Sequence, residues 1–114
     1  MNNMTDYEKN RILKESLVTR PVYCGLLTDD EISALSYKRV QVTFSNPSGG
    51  QTQNSADIEF PIANEKWGEV RKIALFDSLT HGNKIWEGSP EVVKSVDVAG
   101  QYKIPRGYMI VRLR

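Results

Sequence analysis

Few side chains in this chain can do chemistry, and their spacing decides whether they do. There is one histidine, His81, set in the run Leu-Thr-His-Gly-Asn, where small polar residues and glycine predict an exposed turn. A zinc or iron centre needs several histidine, cysteine or carboxylate ligands converging, and no pair here has helical or zinc-finger spacing, so no metal site is expected. The only cysteine, Cys24, lies in the apolar run VYCGLL and reads as a small buried hydrophobe. A serine nucleophile would need Ser78 beside His81, but no G-x-S-x-G turn frames any serine. Two carboxylate sets could serve acid-base work: Asp57 with Glu59, and the run Asp29-Asp30-Glu31. The first alternates with apolar residues, as on a solvated sheet face, and the second suits the start of a helix or a loop.

Binding chemistry is equally sparse. The stretch SNPSGGQTQ, 45–53, has a glycine pair but neither the lysine nor the following helix of a phosphate cradle, and is expected to be a solvent loop. Trp67, Trp86 and the tyrosines are scattered singly without clustered basic residues, a pattern that favours packing over a platform for sugars or bases. No catalytic residue, cofactor or metal ligand is therefore assigned.

The elements that would position such residues follow from length and pattern. With 114 residues and a formal charge of +1, the chain suits one soluble domain and has no strong field for nucleic acid or an anionic membrane. The polar first residues do not form a signal peptide, and no run reaches the roughly 18 apolar residues of a membrane span. Production in a cytosol is expected. Thr5 and Glu8 have capping-box spacing, which predicts a helix over 6–17 within an N-terminal arm, 1–20. Tyr7, Ile12, Leu13 and Leu17 give it a thin apolar stripe, suited to an interface.

From 21 to 114 the pattern turns to short β-rich runs. PVYCGLLT, 21–28, is apolar on both faces, as in a central strand. KRVQVTF, 38–44, alternates, and so does NSADIEF, 54–60, with Ala56, Ile58 and Phe60 on one side. Thr28 or Asp29 could cap one helical turn between the first two runs. EVRKIALFD, 69–77, and runs near 83–87, 91–98 and 108–113 bring the count to about seven strands. The expected fold is all-β, an antiparallel β-sandwich of jelly-roll or immunoglobulin-like kind with a short N-terminal helix. Its core is assigned to Val42, Phe44, Ile58, Phe60, Trp67, Gly68, Val70 and Phe76. In FPIANEKWG, Pro61 ends a strand, Trp67-Gly68 starts the next with the ring capping the core, and Glu65 and Lys66 face solvent.

The order of these runs resembles a family of small bacteriophage proteins, commonly labelled phage tail-fibre or virion structural proteins, over about residues 20–114. The resemblance rests on the VYCGLL strand and on Tyr37, Arg39, Val42, Thr43 and Phe44. It continues through Asn54, Ala56, Ile58, Phe60 and Pro61, then Trp67, Gly68, Val70, Phe76 and Asp77. Two departures stand out: TDDEISALS lacks a glycine-rich spacer, and Ser78 replaces a small apolar residue. The resemblance implies a non-enzymatic virion component; with the near-neutral charge and the polar first residues, it is expected to be assembled in the host bacterial cytoplasm without nucleic acid or membrane as partner. Lacking heptads or fibre repeats, the chain is expected to be a capsid decoration or cement protein, a homo-oligomer, taken as a trimer, held by the major capsid protein or other virion proteins. A tail-fibre or tail-tip adaptor is the alternative, and a carbohydrate-binding module for host glycans the second.

Overall fold

The computed structural model describes residues 4–90 and 92–113. The chain is mainly β, and its described residues form ten strands in antiparallel sheets after one short N-terminal helical segment. The strand count exceeds the expected seven because several runs break or are too short to show a period.

Two compact units divide the chain. The first comprises Met1–Pro21, Val42–Ile58 and Ile104–Arg114. Helix α1, Asp6–Leu13, begins where Thr5 Oγ1 accepts a hydrogen bond from the Glu8 amide at 3.3 Å. The Glu8 carboxylate binds Arg11 instead of closing a capping box. The helix then widens into one π-helical turn, Lys14–Val18, where an α-helix to 17 was expected. Leu13 and Leu17 are buried, Ile12 is half-buried and Tyr7 is exposed, so only part of the stripe assigned to an interface is open.

Asn10 on this helix accepts a hydrogen bond from the Gly50 amide at 2.9 Å. Strand β3, Gln51–Gln53, begins there, inside the stretch expected to be a loop, and pairs antiparallel with β10, Ile110–Arg112, setting Thr52 opposite Val111. Thr52 is buried, and its hydroxyl donates to the Ser45 carbonyl at 2.6 Å. A polar residue buried with its bond satisfied leaves no apolar alternation to read.

The second unit comprises Val22–Gln41 and Glu59–Lys103. Its sheet has the order β2-β1-β6-β7, built from Val40–Val42, Val22–Leu27, Lys72–Phe76 and Lys84–Gly88. β1 and β6 occupy the centre, and Ile73, Ala74, Leu75 and Phe76 are all buried, as expected of strands covered on both faces. The run 69–77 is not one strand. It splits into β5, Gly68–Val70, and β6, because the Arg71 amide turns to donate to the Leu27 carbonyl at 2.9 Å. β5 pairs antiparallel with β8, Lys94–Val96. The remaining strands, β4 (Ile58–Glu59) and β9 (Lys103–Ile104), pair with each other.

No helical turn forms in TDDEISALS. The Thr28 hydroxyl donates to the Asp30 carbonyl, Ile32 N bonds back to the Leu26 carbonyl, and Ala34–Tyr37 closes a turn. Local bonding of this kind competes with a helix. Of the residues assigned to the core, Val42, Phe44, Ile58, Phe60, Trp67, Val70 and Phe76 are buried and Gly68 is half-buried. Ala56, expected beside Ile58 and Phe60, is exposed.

Candidate functional site

The densest polar cluster lies in the second unit, on the irregular stretch after β1. Arg39 lies over the Phe76 ring, its guanidinium carbon 3.6 Å from the centroid. Its Nη2 donates to Glu31 Oε1 at 2.8 Å and its Nε to Glu31 Oε2 at 2.9 Å, a two-pronged carboxylate pair. Nη1 donates to the carbonyls of Ser78 at 2.9 Å and His81 at 2.7 Å. One guanidinium thus ties the 31–39 segment to the loop between β6 and β7. The Tyr37 hydroxyl completes the cluster, donating to Glu31 and accepting from the Leu26 amide at 3.1 Å.

The electrostatics follow from these contacts. Burial alone would raise the Glu31 pKa, but hydrogen bonds from Arg39 and Tyr37 and the Arg39 charge outweigh it and hold the carboxyl below its usual value. Tyr37 is pushed well above the ordinary phenol range, first by burial and then by its bond to the Glu31 carboxylate. Glu31, expected to belong to an acidic run at a loop or helix start, is instead a structural anion held by Arg39 and Tyr37. A Cβ on Gly25 would lie 2.7 Å from the Phe76 ring, 2.9 Å from the Tyr37 oxygen and 3.0 Å from Glu31, so this cluster needs bare backbone beneath it.

A second polar knot holds FPIANEKWG. The Ser36 hydroxyl donates to Glu65 at 2.6 Å and accepts from Trp67 Nε1 at 2.9 Å and from the Asn64 amide at 3.1 Å, while Ser36 N donates to the same Glu65 oxygen at 2.8 Å. Glu65 is thus engaged rather than simply facing solvent. Trp67 meets Tyr37 edge-on at 5.5 Å, and Tyr37 lies parallel to Phe60 at 6.4 Å, so the ring is core. Gly68 follows at φ +98°, a conformation that side chains resist.

Beside the Arg39 cluster lies an open groove of about 580 Å³, lined in part by Ile32, Tyr37, Lys38, Leu79 and His81. His81 is exposed, at φ +57° in its turn. Cys24 is fully buried, and burial raises its thiol pKa far from a reactive value. Asp57 and Glu59 are both exposed; Asp57 accepts from the Arg106 amide, and Glu59 lies 3.8 Å from Lys103. Trp86 is half-buried, and a Cβ on Gly88 would meet its ring at 2.4 Å. Among the described residues, no group of three His, Cys, Asp or Glu could hold a metal ion. No helix among them is long and apolar enough to cross a membrane.

By fold and site the class is a small, mainly β protein whose ionic and aromatic groups fasten loops to a sheet. The chain belongs to the family described as Podophage GP4 fiber I protein gp80, whose model matches residues 3–112. None of the curated proteins matches it. The family makes it a phage virion structural component of fibre type. Arg39 and Tyr37 stood out in the sequence only through the family resemblance. Their partner Glu31 did not, because it lies in an irregular segment without periodicity.

Proposed function

We propose that the protein is a non-enzymatic subunit of a phage tail fibre, joined to other virion proteins and to further copies of itself by protein contacts. The family match over residues 3–112, to a protein described as a podophage fibre protein, carries the reading. It favours the fibre over a capsid decoration or cement role, for which no separate observation speaks. The polar clusters fit this use. Arg39, Glu31, Ser36 and Glu65 are committed to holding loops, which lowers the entropy lost when a loop surface meets a partner.

Immunogold electron microscopy of intact virions, with antibody raised against the purified chain, tests the position. Label along the fibres is the expected result. Label confined to the capsid shell would restore the decoration role and remove the fibre one.

A further inference from the structure

Leu35 is 97% exposed, more than any other large apolar side chain among the described residues. It stands second in the turn Ala34–Tyr37, closed by Tyr37 N donating to the Ala34 carbonyl at 3.0 Å. Both flanks are fastened: Ser36 to Glu65 through its amide and hydroxyl, and Tyr37 to Glu31 and the Leu26 amide. The turn therefore holds Leu35 outward and keeps it from folding back to cover its own surface. An apolar side chain held in water this way is a ready-made anchor, since little ordering entropy remains to be lost on contact.

The same loop carries the features such an anchor needs. The 31–34 segment lines the groove with Ile32, Tyr37, Leu79 and the cation Lys38. A second groove shares that segment and is lined further by Asp29, Asp30, Glu65 and the cation Lys66. Neither Lys38 nor Asp30 has an ion-pair partner among the described residues. Projection, depression and opposite free charges thus share one patch. A two-fold contact requires that combination, because each surface must complement itself.

We propose that this face is a contact between two copies of the chain. Leu35 of each copy enters the other's groove beside Tyr37 and Leu79, and Lys38 of each faces the other's Asp30. The contact stands on the loop's own geometry and does not depend on where in the virion the protein sits. Two loops cover less than the roughly 800 Å² per partner of a standard interface, so association is weak in dilute solution and gains when many copies are held together.

Sedimentation velocity of the purified full chain at low salt, up to about 1 mM, reads the contact directly. The wild type is expected to pass from monomer to dimer with concentration. Leu35→Asp should keep the melting temperature, since the side chain is exposed, and lose the concentration dependence. Lys38→Glu should raise the dissociation constant about tenfold, and adding Asp30→Lys to it should restore association. A wild type that stays monomeric at the highest concentration overturns the proposal, as does Leu35→Asp dimerising like wild type or Lys38→Glu leaving the constant unchanged. None of these outcomes bears on the immunogold position, so the fibre reading and this contact fail separately.

Discussion

Gly25 shows how a single missing atom group can hold a polar cluster in place. It lies in the centre of β1, where Ala, Val or Ile would be the better strand former, yet Phe76, Tyr37 and Glu31 all press onto its backbone. The space that a side chain would fill is taken by the tyrosine hydroxyl and the carboxylate that Arg39 holds. Neither can retreat cheaply, because each is fixed by a hydrogen bond with its own geometry. Gly25→Ala should therefore destabilise the protein by about 1 to 3 kcal/mol, the range for overpacking a close-packed site, despite the gain in strand propensity. Urea unfolding measures it. Gly49→Ala is the contrast: no atom lies within 4 Å of that Cβ, and its cost is only the backbone term of a φ of +62°, about 1 kcal/mol. Equal losses at the two sites would mean that the cluster yields freely and does not depend on bare backbone.

At the scale of elements, the bend after β3 is held by one buried amide. Asn54 is fully buried; its Nδ2 donates to the carbonyls of Ala56 at 2.9 Å and Pro105 at 3.0 Å, and its Oδ1 accepts from the Met109 amide at 2.9 Å. Asn54→Asp keeps the size but replaces two donors with a charge facing two carbonyls. A loss above about 3 kcal/mol is expected, from two broken bonds and an unpaired buried anion, measurable as a fall in melting temperature at neutral pH. A change under about 1 kcal/mol would mean that the bend holds without the amide. The same residue shows where reading from sequence runs out. Thr5 announces the helix because its cap is local, and β1 is legible because six consecutive residues are nearly all apolar. Two of the groups that Asn54 binds lie 51 and 55 residues away, so no local pattern shows what its amide holds. Likewise β3 and β9 are too short, and too polar, to show a period of two. The break at Arg71 depends on a carbonyl from another strand, which no local pattern encodes. Among candidate functional residues, Tyr37 and Arg39 stood out only through the family resemblance, and their pairing with Glu31 needed the fold.

For the whole molecule, the titrating groups set a window of stability with a different cause at each end. Glu31 has a lowered pKa in the folded chain, so its contribution is present above the unfolded carboxyl value, about 4.3, and is lost as pH falls through its folded value. Glu8, Glu65 and Glu87 shift the same way, Glu8 and Glu87 through ion pairs open to water and screened, and Glu65 through its bonds from Ser36, which leaves Glu31 as the main ion-paired term. The alkaline limb has the opposite sign. Burial raises Cys24, Tyr37 and Tyr102, so each stays protonated in the folded chain while the unfolded chain ionises, and stability falls as pH rises past the unfolded values of about 8.5 and 10. A fully buried group such as Cys24 contributes a slope of up to about 1.4 kcal/mol per pH unit within its window. Melting temperature measured across pH should therefore be flat near neutrality and drop on both sides, and two substitutions assign the limbs. Glu31→Gln lowers the plateau and flattens the acid limb. Tyr37→Phe keeps the ring against Trp67 and Phe60, lowers the plateau through the lost hydrogen bond, and makes the alkaline limb shallower above pH 10, leaving the earlier drop from Cys24 in place. An acid limb of unchanged slope in Glu31→Gln would show that the screened surface pairs, not the Arg39 cluster, set the acid limit.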